Sequence, residues 1–186
     1  MRRIVYLAGA IANLSYEDAT AARIRARQCF VDRGWDVLDP MRGKEVLSTL
    51  AFIDEKAATR LLGVTEAAIV QRDFDDLRRA DVILILSGDA PSWGTAFEWS
   101  LSHFHFQKPV VVVAGLDAPV RNHPWCKVMT SAFCSSVEEA ADFIDRWLDR
   151  GYSLEEHDMV PPHRHEGEFW NRADGTKDTV IRNANA

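Results

Sequence analysis

The chain is poor in cysteine, and the little it has is scattered. Cys29, Cys126 and Cys134 form no CxxC pair and no ligand spacing. Neither a disulfide framework nor a thiolate metal site is expected, and the pattern suits the reduced thiols of a cytoplasmic protein. Basic charge is also lacking: 22 Lys and Arg stand against 28 Asp and Glu, a formal net charge of −6. With no basic excess to displace counterions, a nonspecific binder of nucleic-acid polymers is excluded. A single nucleotide needs only local donors and is not. No apolar run approaches the ~20 residues that a membrane-spanning helix needs. The opening MRRIVYLAGAIA has the paired arginines and apolar stretch of a short signal peptide, but Asn13 and the acidic Glu17-Asp18 interrupt it. It reads better as a first strand. No internal repeat is present.

What is there suits one globular domain. The 186 residues are 47% hydrophobic and 27% charged, enough for a substantial core without staples. The pattern predicts a strand over Ile4 to Ala8 turning at Gly9. A helix follows over Glu17 to Arg33, with Ala22, Ile24, Cys29 and Phe30 on its inner face and Gly34 ending it. Trp35 to Leu38 predicts a second strand, stopped by Asp39-Pro40. Residues 41–63 read as an insertion with a short helix near Asp54 to Leu62, placed to act as a lid. A helix from Thr65 to Arg79 leads into an apolar strand over Asp81 to Leu86. A helix opening at Gly94 runs to about Gln107-Lys108, followed by a strand over Pro109 to Ala114. A weaker strand near Val128 to Phe133 and a helix over Val137 to Asp149 close the core. This alternation implies an α/β fold: a doubly wound, mainly parallel five-stranded sheet of Rossmann or flavodoxin-like type, with helices on both faces. Residues 1–150 form the domain. Residues 151–186, with Pro161-Pro162 and His157, His163 and His165, read as an extended arm.

The segment Ala80 to Ser100, ADVILILSGDAPSWGTAFEWS, carries the most information. Ligands of open α/β sheets sit outside the carboxyl ends of the strands, where the next helix begins. Gly94 admits close backbone approach, the amides at Gly94-Thr95 offer donors, and Glu98 stands one turn into the helix. Tyr6 on the first strand and Asp73 before the third join it near the strand ends. Two carboxylates in one cleft suit cleavage of a glycosidic bond, one as nucleophile on the anomeric carbon and one protonating the leaving group. His103 and His105 are two positions apart on a helix and face apart, so no metal is expected there.

Several short motifs give the chain a wider resemblance. They are Tyr6-Leu7-Ala8-Gly9-Ala10-Ile11, Asp39-Pro40-Met41-Arg42-Gly43-Lys44, Arg72-Asp73 before Ala80-Asp81, Ser92-Trp93-Gly94-Thr95-Ala96-Phe97-Glu98, and Lys108-Pro109-Val110. In this order the chain resembles the nucleoside 2-deoxyribosyltransferase family, with its relatives that are nucleoside 5′-monophosphate N-glycosidases. The resemblance covers residues 4 to 114 and more loosely His123-Pro124-Trp125 onward. It implies that Glu98 attacks the anomeric carbon to form a covalent glycosyl intermediate. Tyr6 would hold that carboxylate, and Asp73 would handle the proton of the departing base. Substrate contacts would come from Gly9, Ala10, Ile11, Arg42, Lys44, Ser92, Gly94, Thr95, Asn122 and Trp125.

No metal and no organic cofactor is implied. The partners are a small-molecule nucleoside or nucleotide and a free nucleobase, and the protein is expected to be a homo-oligomer. Two positions depart from the transferase pattern. Ser92 stands where transferases often carry an acidic residue, and Trp99 where many relatives have glycine. A serine accepts a phosphate that a carboxylate would repel, so 5′-monophosphate hydrolysis is the close alternative. A second alternative is a nucleotide-binding sensor or assembly protein that has lost turnover.

Overall fold

The computed structural model describes residues 2–88 and 92–149. The arm expected over 151–186, with its three histidines, lies outside the described residues. Five parallel strands form one sheet: β1 (Ile4–Gly9), β2 (Asp36–Leu38), β3 (Val82–Leu86), β4 (Val110–Val113) and β5 (Ala132–Cys134), in the order β2-β1-β3-β4-β5. From β1 the chain moves out to β2, then returns across β1 to β3. That reversal puts a crevice at the carboxyl ends of β1 and β3, where Gly9 pairs with Leu86. The carboxylate of Asp81, just before β3, accepts the Ile4 amide at 2.7 Å and ties the opposite ends of these strands.

Strand alternation divides the core into two layers. Val5, Leu7, Val82, Leu84 and Val111 face α1 (Tyr16–Asp32) and α6 (Val137–Asp149), meeting Ala26, Phe30, Ala140 and Ile144. Tyr6, Ala8, Ile83, Ile85 and Val112 face the other way. They meet Leu77 of α3 (Glu66–Arg79), Trp99 of α4 (Trp93–Ser100) and Met129 of α5 (Pro124–Met129). Each fully buried aliphatic side chain in these layers contributes about 1.5–3 kcal/mol. Residues 41–63 carry a 3₁₀ turn (Glu45–Thr49) and α2 (Glu55–Leu62) and build a third cluster. Met41, Leu47, Ile53 and Ala58 pack there on Ala19, beside Ile11 and Leu14.

The doubly wound parallel sheet is as expected, and three local expectations need correction. The inner face of α1 is Ala19, Thr20, Arg23, Ala26 and Phe30; Ala22 and Ile24 face solvent, and Cys29 is half-buried. An arginine occupies the buried stripe because backbone carbonyls inside need its donors. The stretch read as a strand from Val128 is helix α5 up to Met129. Pro124 opens it, where its missing amide hydrogen costs nothing, and the strand starts only at Ala132. The helix after Ser92 does not run evenly to Gln107. It passes at Leu101 into a wider π-helical turn ending at His105, and Gln107 takes a left-handed φ of 52°. Among the described residues, no helix is long and apolar enough to cross a membrane.

Candidate functional site

Tyr6 lies mid-strand in β1, with fully buried ring and hydroxyl directed to the α4 layer. Ser92 caps α4, its hydroxyl accepting the Thr95 amide at 3.4 Å. One turn further, Glu98 turns inward, and its Oε1 accepts the Tyr6 hydroxyl at 2.6 Å. Ser102, at the π-helical turn, donates to the Glu98 carbonyl at 2.5 Å. Trp99, beside Glu98, is buried and donates from Nε1 to the Met129 carbonyl at 3.1 Å. The bulky residue in place of a glycine therefore ties α4 to α5 behind the site.

Burial pushes the Glu98 carboxyl up to about 7. The charge of Asp73 adds to this, while the Tyr6 hydrogen bond and the Arg23 and Lys44 charges oppose it. The Tyr6 hydroxyl is held well above its ordinary value, first by burial and then by Glu98 and Asp73. It therefore stays a donor. Asp73, on α3, is half-buried. Its carboxyl is raised by burial, against the pull of Arg72 and Lys44. A largely enclosed acid poised near neutrality and coupled to a second carboxyl is an arrangement that can do nucleophilic or proton-transfer chemistry.

Three residues that the sequence reading did not single out complete the surroundings. Arg23 of α1 is buried and donates to the carbonyls of Gly9 at 2.7 Å, Ala10 at 3.2 Å and Ala19. Its Nε lies 3.6 Å from Asp39, and Asp39 in turn accepts the Met41 amide at 2.8 Å. Glycine at position 9 leaves room here: a Cβ would stand a tight 3.1 Å from the Leu86 carbonyl and 3.2 Å from the Arg23 guanidinium, which would have to give by a few tenths of an ångström. Asp76 is almost wholly buried and takes the Arg42 guanidinium at 2.5 Å. The spacing of Asp76 from Asp73, one helical turn, was the available signal for it. For Arg23 no local signal existed.

The structure thus gathers Tyr6, Glu98, Asp73 and Lys44 with Gly9 and Ala10 around the crevice. Arg42 is spent on Asp76 and on the Asp39 carbonyl. Ile11 packs into the third apolar cluster. Gly94 is open, and Thr95 keeps a buried hydroxyl without a partner. Asn122 and Trp125 are exposed on the connection after β4, with the Trp125 ring 6.4 Å from that of Phe104. Among the described residues, no group of three or more His, Cys, Asp or Glu is gathered to hold a metal ion.

No protein-family model matches this sequence, and no curated protein matches it. Solved structures do. A 2-deoxyribosyltransferase from Bacillus psychrosaccharolyticus superposes with a TM-score of 0.55 at 17% identity, covering 85% of this chain and 98% of that one. A conserved protein from Enterococcus faecalis V583 gives 0.54 at 16%, covering 78% and 99%. The Moco Carrier Protein from Chlamydomonas reinhardtii gives 0.53 at 15%, covering 81% and 100%. At these identities the likeness is one of architecture: this chain has the fold of a 2-deoxyribosyltransferase, the family that its sequence resembles.

Proposed function

We propose that the protein is an enzyme of the nucleoside 2-deoxyribosyltransferase type, cleaving the N-glycosidic bond of a nucleoside or nucleotide. The observation that carries this reading is the 2.6 Å contact between the Tyr6 hydroxyl and Glu98, with the charge of Asp73 acting on both. Glu98 attacks the anomeric carbon as the carboxylate. The bond to the base breaks with its electron pair on the base nitrogen, and a covalent glycosyl-Glu98 intermediate forms. Asp73 works on the side of the departing base. Water or a second base then attacks the same carbon, so configuration is retained. Gly9, Ala10, Ser92, Gly94 and Thr95 line the sugar side. A homo-oligomer belongs to the same reading, supported by the exposed aromatic rings of Trp93, Phe97, Phe104 and Trp125.

Attack requires ionised Glu98, so kcat/KM rises with pH through about 7. The Tyr6 hydrogen bond favours the charged form. Tyr6→Phe therefore moves this acid limb upward by roughly one to two pH units. A pH–rate profile checks it, and an unmoved limb removes Tyr6 from the role.

The acceptor and the phosphate are tested together. Free base is measured by chromatography from deoxynucleosides and their 5′-monophosphates, with and without a second base, using Glu98→Ala as control. Product only with an acceptor establishes transfer; base released from monophosphates in water establishes hydrolysis. Ser92→Asp separates the substrates. Asp caps a helix as well as Ser does, so α4 keeps its start while a phosphate meets a like charge. Activity on a monophosphate falls by roughly 10²-fold or more, and on a nucleoside much less. The second reading, binding without turnover, takes support from the Moco Carrier Protein of the same fold. It predicts ligand affinity with no base release, and binding undiminished in Glu98→Ala.

A further inference from the structure

Helix α3 ends just before β3 begins, so each turn back from its end climbs toward the carboxyl edge of the sheet. Leu77 faces the layer of Tyr6 and Ala8, and Asp73, one turn earlier, continues that face. A hydrogen bond fixes its height. The Arg72 guanidinium donates from Nη2 to the Pro40 carbonyl at 2.6 Å, just past the carboxyl end of β2. The same nitrogen donates to Asp73 Oδ1 at 3.2 Å, and Nε donates to that oxygen at 3.4 Å. Successive side chains of a helix point about 100° apart, so this is no ordinary surface pair. The Pro40 carbonyl holds the guanidinium where it can meet Asp73. That loop is itself braced on α3, because Arg42 donates to the Asp39 carbonyl at 3.0 Å and takes Asp76.

The other carboxylate oxygen of Asp73 is treated differently. Among the described residues, Oδ2 takes part in no hydrogen bond and no ion pair. The side chain keeps 19% of its surface open. A guanidinium has five donors and no acceptor, so a proton on Oδ1 would point at N–H groups. When Asp73 is an acid, its proton sits on Oδ2.

Resting on the N-glycosidic reading, in which Asp73 serves the departing base, we propose that Arg72 is a positioning residue of the reaction: it grips Oδ1 from behind and leaves Oδ2 as the oxygen that gives the base its proton. In the first step the bond from the anomeric carbon to the base nitrogen breaks, its electron pair going to the base. The Oδ2 proton passes to the base, Asp73 becomes a carboxylate, and a Glu98 oxygen bonds to the anomeric carbon. In the second step water bonds to that carbon, its proton returns to Oδ2, and Glu98 departs as the carboxylate. The charges around Asp73 suit this part. Burial raises its carboxyl, Arg72 and then Lys44 pull against the rise, and Asp76 adds to it. The charge of Asp73 acts in turn on Glu98 and Tyr6. An acid raised by burial alone would part with its proton less readily.

A double-mutant cycle on base release tests the role. Rates are measured by chromatography from 2′-deoxyuridine against its 5-fluoro analogue, and from 2′-deoxyguanosine against its N7-methyl analogue. Each is run with and without a 5′-phosphate, with an acceptor base present. The analogues leave with little or no help from an acid. Asp73→Asn slows the ordinary substrates by roughly 10²–10⁴-fold. Arg72→Met slows them by roughly 10–10²-fold in kcat with KM unchanged, and the analogues keep most of their rate. The ratio within one variant does not depend on how much of it folds. Arg72→Lys, which keeps the charge without the fork, restores part of the rate. Added to Asp73→Asn, Arg72→Met costs no more than about twofold. Wild-type rates in either single variant, a full further loss in the double variant, or an equal loss on the analogues overturns the role of Arg72 alone. So does a KM raised only for 5′-phosphates, the mark of a guanidinium that binds the phosphate instead. Silence of the wild type on every substrate overturns the glycosidic reading and the proposal with it.

Discussion

Glu98→Gln is expected to cost roughly 10⁴-fold or more in kcat and, in the same protein, to raise stability at pH 8. The first effect follows from removing the nucleophile while keeping its shape, since the amide oxygen still accepts the Tyr6 hydroxyl. The second follows from linkage. The Glu98 carboxyl, ordinarily at 4.5, titrates at about 7 in the folded protein. A carboxyl raised by folding stabilises the native state most below its unfolded value, and that contribution fades as pH rises through the folded value. Above 7 the wild type must hold a poorly solvated charge that Gln does not carry. Glu98→Gln is then more stable by about 3 kcal/mol at pH 8 and by about 1 kcal/mol or less at pH 5. Urea unfolding of both proteins at the two pH values measures it. A difference independent of pH would mean that Glu98 does not titrate near 7, and with it would go the acid limb expected of catalysis. A site that destabilises its own fold is the expected signature of function.

The other large effect lies away from the chemistry. Arg23→Met, close in length and apolar, is expected to lower stability by about 3–5 kcal/mol, a large share of the 5–15 kcal/mol typical of a domain. Methionine fills the volume but donates nothing. The Gly9 and Ala10 carbonyls lose their partner, and Asp39 is left buried without its cation. Each unsatisfied group is charged the full cost of leaving water. Arg23→Lys keeps the charge and loses the fork that spans three carbonyls, so it falls between. Denaturant midpoints rank the three proteins. A midpoint for Arg23→Met equal to wild type would mean that the loop after β1 closes without this anchor.

How far the sequence could be read depended on where the information lay. The unit from Asp81 to Glu98 was legible because each part is local. An apolar run makes a buried strand, a serine three residues before Thr95 makes a cap, and one further turn brings Glu98 to the crevice. Tyr6 took its place beside Glu98 only through the family resemblance; the structure then shows strand alternation putting it on the side of Ala8 and not of Leu7. Arg23 was not legible. A helix face is chosen by hydrophobicity, which assigns arginine to solvent, so the face was drawn through Ala22 and Ile24. The carbonyls that require the guanidinium belong to another part of the chain. Asp76 was hidden by its neighbours for the same reason, since Asp73, Asp75 and Asp76 differ only in what each meets across the fold. The helix over Pro124 to Met129 was missed although its proline marked the start, because Val128 and the residues to Phe133 weigh equally as strand.

β1 is bonded on both sides, to β2 and to β3, and the tyrosine that holds Glu98 stands at its middle, opposite Leu38 and Ile83. A strand with two neighbours cannot fray from an edge. Its amide hydrogens exchange with solvent only through openings that approach the whole unfolding free energy. The hydroxyl facing Glu98 is therefore fixed to the part of the molecule that is last to come apart, and its alignment is lost only when the sheet itself is.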